Sequence, residues 1–423
     1  MKHKSILTFL IVLLTIQLKA QEPKPNNYGI VFSGFVRSDF FYDTRQVAAA
    51  REGNFLICPE PILKDKNGND INAKSSLNFL AICTRLHASI TAPDVLGAKI
   101  SADFEGEFFG HSDADINGFR LRLAYVKMKW PKTELIMGQY WHPLFVPDAA
   151  VIPISFNTGA PFQPVSRFPQ IRISHEMAHF RILAMVYTER DHTSFGPNYA
   201  DVTKPVASGV YMKNAAIPAL NLQLHYRPEG SHFIIGAGID HKTLLPELFT
   251  TGAGGMKYKS STTISSISYS VFTKIITKAV LIRAAAYMSE NAADMVGIGG
   301  YACSNITDSV TGARAWTNIS TSTVWLDVSN TNPMYKVALF MGYTKNLGAK
   351  EDINTPVFCS RGKDVDYVYR LAPRFTYLKN KLELDFELEY TVAAYGTTGI
   401  RGKVSNTYTV SNLRPLVVVA LIF

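Results

Sequence analysis

The sequence predicts an all-β fold: a transmembrane antiparallel β-barrel of about 16 strands, with an inward-folded constriction loop. Three observations predict it. Charged and apolar residues alternate with period two over many segments of strand length. The connectors between those segments alternate between short and long. The third is the last stretch, Thr407 to Phe423 (TYTVSNLRPLVVVALIF), which is too short for a transmembrane helix and is interrupted by Arg414. It suits one membrane-crossing strand, which needs about 9–11 tilted residues. Leu413, Val417, Val419, Leu421 and Phe423 share one face, with Asn412 and Arg414 on the other. Such a strand closes a barrel by pairing with the first one, because no open edge is tolerated in lipid.

Composition sets the bounds. The chain has 423 residues, 47% hydrophobic and only 18% charged, yet no internal run of about 18 apolar residues, which excludes helical spans. The net charge of +9 is modest and no Lys/Arg cluster is interleaved with aromatics, so nucleic acid is not the expected partner. Residues 1–20 read as a signal peptide: Lys2 and Lys4 lead, Ile6 to Leu18 is the apolar core, and Ala20 is the small residue before the cut. The apolar core is short for a retained anchor, and no Cys follows it for lipid attachment. Residues 21–30 form a short periplasmic lead containing Pro23 and Pro25, and the barrel is expected over 31–423.

The strands are predicted at 31–42, 78–91, 97–108, 118–130, 133–141, 170–176, 179–187, 218–226, 231–241, 260–275, 278–288, 314–327, 334–344, 365–378, 381–391 and 407–423. In the first, Arg37 and Asp39 oppose Val36 and Phe40. In the second, Arg85 and His87 oppose Leu80, Ile82 and Leu86. A turn at Ala92-Pro93-Asp94 leads to the third, where Lys99, Asp103, Glu105 and Glu107 oppose Ile100, Phe104 and Phe108. Arg120 and Arg122 then oppose Leu121 and Leu123. Near the end, Arg370 and Arg374 alternate with Tyr369, Leu371 and Phe375. Glu383, Asp385, Glu387 and Glu389 alternate with Leu384, Phe386 and Leu388. With Lys379-Asn380 as the turn, Arg374 falls opposite Asp385 and Arg370 opposite Glu389. All these charged residues are the expected pore lining. A soluble β-sandwich or solenoid would bury the apolar face against a second sheet instead; the alternation of short turns with long loops favours the barrel.

One connector differs from the rest. Residues 142–170 carry six prolines together with Leu144, Phe145, Val151, Ile152, Ile154, Phe156 and Phe162. Prolines stiffen a loop, and a loop this apolar should pack inside something. It is expected to fold into the barrel mouth as a constriction, with Phe145, Asp148, Phe156, Asn157 and Gln163 on it and Arg167 and Arg172 flanking it. The alternative is an external loop against a neighbouring subunit.

Other motifs yield to that frame. His175-Glu176-Met177-Ala178-His179 matches HExxH, whose zinc chemistry needs a helix, but the flanks read as strands, so a turn is expected and no metal. Asp113 to Gly118 matches half a calcium loop and lacks the Glu at its twelfth position, where Ala124 stands. No nucleophile elbow, phosphate loop or nucleotide fingerprint is present, so no enzyme activity and no cofactor are expected. Cys58, Cys303 and Cys359 fall in expected loops and Cys83 on a strand; a Cys303–Cys359 bridge is one of the pairings open to four cysteines.

Gly34 to Tyr42 (GFVRSDFFY), Gly138 to Pro143 (GQYWHP) and Ser155 to Pro164 (SFNTGAPFQP) together resemble the porin-like outer-membrane proteins of Bacteroidota-type bacteria. In layout the chain is similar to DcaP-like and general diffusion porins. The resemblance spans nearly the whole mature chain. It implies a passive outer-membrane pore for small hydrophilic solutes, commonly trimeric and narrowed by the loop after strand five. It also implies insertion among outer-membrane lipid by the barrel-assembly machinery, which reads the terminal Phe423. An anion bias, for carboxylates for example, follows if Arg167 and Arg172 set the field. A barrel whose pore is plugged, serving as an enzyme or an adhesion protein, is the alternative.

Overall fold

The computed structural model describes residues 28–230 and 232–423. The signal segment and most of the lead lie outside the described residues. A strand turns successive side chains to opposite faces, so acid or base alternating with Leu, Phe or Tyr suits a wall between oil and water. Sixteen strands build that wall: β1 Gly29–Asp43, β2 Arg85–Val95, β3 Ala98–Glu107, β4 Arg120–Lys129, β5 Thr133–Trp141, β6 Arg167–Met177, β7 Phe180–Tyr187 and β8 Ala219–Tyr226, then β9 Phe233–Leu244, β10 Ile264–Ile276, β11 Val280–Glu290, β12 Ala313–Asn330, β13 Tyr335–Ala349, β14 Val365–Lys379, β15 Leu382–Thr398 and β16 Val404–Ile422. Each pairs antiparallel with the next, and β16 returns to β1 from Phe35–Ile422 to Phe41–Leu416. Three further strands bring the sheet to 19. Ser76–Leu80 continues the line of β2 along β1, and Gly299–Asp308 with Phe358–Arg361 extends the rim beside β12. Among the described residues no helix is long and apolar enough to cross a membrane.

The two faces sort as the alternation requires. On β15, Leu382, Leu384, Phe386 and Tyr390 are exposed on the outside, while Asp385, Glu387 and Glu389 are buried within. On β16, Leu413, Val417, Val419 and Leu421 point out, with Asn412 and Arg414 inside. Thus the expected all-β barrel with a closed seam is present.

Details of register differ from expectation. The β14–β15 turn is Asn380-Lys381, both at positive φ (52° and 68°), so Lys379 pairs with Leu382. A two-residue turn with both central residues left-handed favours Asn at its first position, which moves the turn one residue on. Arg374 therefore faces Glu387, and Arg370 faces Thr391, rather than Asp385 and Glu389. A slip of two residues leaves every side chain on its expected face. The β2–β3 turn is Leu96-Gly97, also at positive φ, and Ala92-Pro93-Asp94 belongs to β2 with a register irregularity there. The second predicted strand is broken at residues 81–84, which turns Ile82 and Cys83 into the interior; Ile82 does not share the outer face.

Pro415 sits in β16 opposite Leu388 with no shift at that position. Leu413 turns its N–H and C=O toward Thr44, on the β1 side. Pro415, two residues on, directs its missing donor the same way, just past the last β1–β16 pair. No bulge is needed.

The interior is filled from the long-loop end by three inserts: residues 142–166 after β5, the hairpin Val47–Ala50/Phe55–Pro59 between β1 and β2, and residues 291–298 after β11. They bury Leu56, Phe55, Phe162, Val151, Ala293 and Val296 inside a ring whose inner face is otherwise polar.

Candidate functional site

The loop after β5 is held across the interior by side chains from four strands and packs on a glycine of a fifth. Glu387 on β15 accepts the backbone N–H of Ile154 (2.6 Å) and of Ser155 (3.3 Å). Asn157 donates to Glu389 (2.8 Å), and Arg370 on β14 donates to the Ala160 carbonyl (2.8 Å). Arg37 on β1 donates to the Ile154 carbonyl (2.6 Å), and Gln223 on β8 to that of Pro143 (2.6 Å). Phe162 lies over Gly342 of β13, where a Cβ would come 2.4 Å from its ring. Gln163 clips the loop internally, bonding both the N–H and the C=O of Val151. The expected inward loop is therefore real, and it leans on the β13–β16 wall.

Two cavities are lined by these charged strands, and the loop walls the first of them. One, of about 510 Å³, is lined by six cationic side chains, Arg37, Arg85, Arg122, Arg283, Lys336 and Arg374, and by two carboxylates, Glu383 and Asp385. Phe35, Trp141, Phe145 and Ile152 to Phe156 form much of its wall and roof. It occupies the half of the barrel nearer the short turns, since Glu383, Thr376 and Lys336 lie close to those turns. The other, of about 410 Å³, lies toward the long loops and meets Arg51, Arg120 and Arg190, with His111, His192, Gln139 and Asp191.

Arg120 and Arg122 border one cavity each. Two residues apart on one face, both reach the same carboxylate oxygen of Glu107, at 2.6 and 2.7 Å. A register irregularity where β3 meets β4 sets Leu123 opposite Glu105, so Leu123 turns inward and does not share the outer face with Leu121. Arg85 takes the other oxygen at 2.8 Å, and Arg122 also reaches Glu105 at 2.6 Å. Arg167 pairs with Asp191 at 2.5 Å. These groups form a charged neck between the cavities.

The remaining expected residues are placed as follows. Asp39 is buried beneath Arg37 at 2.5 Å, and Asp103 accepts from Ser89 (2.7 Å) and contacts His87 (3.0 Å). Glu387, Glu389 and Arg370 face inward but lie under the loop. They hold it and line neither cavity. Lys99 is exposed opposite Lys129 near the short-turn end. Phe145 and Phe156 are buried against Trp141 and Phe109, while Asp148 reaches Arg181 and Arg227 at 3.7 and 3.5 Å. Arg172 lies over the Tyr140 ring at 5.5 Å, away from both cavities.

The other two inserts escaped the sequence reading. The hairpin is pinned by Arg414, which bonds the Gly53 carbonyl (2.7 Å) and pairs with Asp43 (2.7 Å), and by Tyr395 on the Pro59 carbonyl (2.7 Å). Its signal was present as two apolar runs, Val47 to Ala50 and Phe55 to Cys58, about a short polar turn inside a long loop. The 291–298 turn is tied to Lys242 through the Asn291 carbonyl (2.7 Å) and the Asp294 carboxylate. Nearby, Glu189 caps Ser194 (2.7 Å); burial, with Asp294 close by, pushes its carboxyl up to about 7. Burial holds the His142 imidazole down, at about 4.

HExxH lies on the β6–β7 hairpin. His175 contacts Thr133 (2.9 Å), His179 falls in the turn, and no helix brings the two together. In the half calcium loop, Asp113 accepts from the Arg51 N–H (2.6 Å) and Asp115 from that of His111 (3.1 Å). All four cysteines are buried and unbridged, so the Cys303–Cys359 pairing is not made. Cys58 and Cys359 lie on short strands of the loops, Cys303 on the rim strand Gly299–Asp308, and Cys83 in the break before β2, the reverse of the expected placement.

No family model and no curated protein matches the chain. Solved structures match it along its length. The outer membrane channel DcaP of Acinetobacter baumannii is 14% identical, with a TM-score of 0.62 over 94% of this chain and 97% of that one. The anion-selective porin from Comamonas acidovorans is 13% identical, with a TM-score of 0.52 over 94% and 100%. OmpT of Vibrio cholerae is 10% identical, with a TM-score of 0.52 over 95% and 99%. The chain therefore shares the porin-type barrel fold.

Proposed function

We propose that the protein is an outer-membrane porin through which small hydrophilic solutes diffuse passively, with a preference for anions such as carboxylates. The observation that carries this reading is the lining of the two cavities. Cationic side chains number six against two carboxylates in one, and arginines three against one aspartate in the other. Carboxylates behind the lining hold most of these cations: Asp39 holds Arg37, Glu105 and Glu107 hold Arg85, Arg120 and Arg122, and Asp327 holds Arg374 (2.7 Å) and Arg283 (3.7 Å). The preference therefore rests on the cations standing at the cavity surface in front of their partners. A water-filled passage between low-dielectric walls concentrates ions of the opposite sign. The short turns would then face the periplasm and the long loops the exterior, and a homotrimer seated in lipid is the expected assembly.

A barrel closed by its three inserts is the second reading, favoured by the buried hairpin and the 291–298 turn. Planar bilayers separate the two. The porin reading expects steady channels whose reversal potential in a potassium chloride gradient shows chloride more permeant than potassium. Equal permeabilities remove the anion preference, and the absence of channels favours the closed barrel.

A further inference from the structure

The carboxylates of the neck do not account for how its cations are held. Arg167 uses Nε and Nη2 on Asp191, and its buried Nη1 meets no acceptor among the described residues. Arg122 is already engaged with Glu105 and Glu107. The two guanidiniums carry like charge, and their repulsion grows as water is excluded. What they share is one ring. Their central carbons lie 5.5 and 5.3 Å from the centroid of Trp141. Phe145 stacks on that indole, with centroids 4.2 Å apart and planes at 21°. Trp141 ends β5, the inward loop begins at the next residue, and the ring lines the larger cavity. It therefore joins the basic wall to the loop that narrows the barrel.

The geometry points to Trp141 as the positioning residue that sets how strongly the neck prefers anions. The face of an aromatic ring attracts a cation without neutralising it. A further carboxylate in its place would fix the same guanidiniums and cancel their field. Arg122 borders the cavity beside the indole, while Arg167 lies buried on the neighbouring strand and acts on a passing anion through its field. Phe145 backs the ring from the loop, so the field and the width of the passage are set together. The inference rests on the anion-preferring pore proposed above.

The test compares wild type with Trp141→Leu, Trp141→Phe and Phe145→Leu, each confirmed as a folded barrel by heat-modifiable gel mobility. Reversal potentials and single-channel conductances are measured in potassium chloride gradients. Every charge is retained, so a ring that only fills space changes conductance and leaves the chloride-to-potassium permeability ratio alone. The positioning role expects Trp141→Leu to lower that ratio about threefold, with Trp141→Phe between it and wild type. If Trp141→Leu does not fold, Trp141→Phe carries the comparison. A folded variant lacking the indole that keeps the wild-type ratio overturns the inference alone. Wild type with equal permeabilities overturns the anion-preferring pore on which it rests.

Discussion

Glu387→Ala should unfasten the inward loop. One oxygen of Glu387 accepts two backbone donors at the turn of the loop, at 2.6 and 3.3 Å, in a site closed to solvent. A hydrogen bond contributes about 0.5–1.5 kcal/mol, the longer of these two toward the low end. Alanine also leaves both buried N–H groups without an acceptor. Together the loss is about 3 kcal/mol, which raises the population of the detached loop roughly a hundredfold. Asn157 with Glu389, and Arg370 with the Ala160 carbonyl, still tether the rest, so the loop should flicker and not leave. In planar bilayers the variant should show larger, noisier openings, and in liposome swelling it should admit longer oligosaccharides. Glu387→Gln keeps an acceptor and should lie close to wild type. A folded Glu387→Ala barrel with unchanged conductance and unchanged size limit would refute the idea that this carboxylate fastens the loop.

Asp43→Asn breaks a buried pair with Arg414 in which both partners are about 1% exposed, and should cost about 3–5 kcal/mol, read as a lower unfolding midpoint in detergent. Gly342→Val puts a side chain where the Phe162 ring lies and should displace the loop at a cost of about 1–3 kcal/mol, read as higher conductance. The four buried, unbridged thiols should resist maleimide in the folded barrel and all react after denaturation, and oxidation should not change gel mobility. Because burial raises the Glu189 carboxyl to about 7, the folded state holds a proton that the unfolded chain releases near 4.5. The folded segment around Glu189 should therefore be most stable below about pH 4.5 and lose stability as pH rises through 7, because burial and Asp294 oppose the charge more than the two Ser194 bonds favour it. Hydrogen exchange at residues 188–195, corrected for its intrinsic pH dependence, should follow that course, and Glu189→Gln should flatten it.

Much of the barrel was readable because one physical rule governs each strand. The Glu383-to-Glu389 row and the closing strand each have a face that only water suits and a face that only oil suits. No neighbour had to be known to place them. What failed depended on partners distant in sequence. The β14–β15 turn moved because Lys379-Asn380 and Asn380-Lys381 serve the alternation equally, and only backbone handedness chooses between them. Ile82 looked like an outer residue until the break at 81–84 let it join Phe55, Phe109 and Phe156 inside. The inserted hairpin and the 291–298 turn are apolar patches in otherwise polar loops, and nothing local says which patch turns inward. Glu387 and Glu389 were expected to meet solute because their face was right. Their occupant is the loop, which is held by backbone donors that no alternation pattern reveals. The Trp141 contacts with Arg122 and Arg167 unite three strands, so they become visible only in three dimensions.

The seam between β1 and β16 joins the first described strand to the last, and Gly34 exchanges both its backbone bonds with Phe423. No partial ring can form from the earlier strands alone, because every shorter product ends in a raw edge of unpaired amides. Long-range pairing of this kind is slow to find, so a nascent chain must be kept from sticking to its neighbours until its final residues emerge. Shortening the chain by the seven residues from Val417 would do more than trim a tail. It would unbutton the cylinder along its length, and proofreading of completeness is thereby written into the geometry of closure.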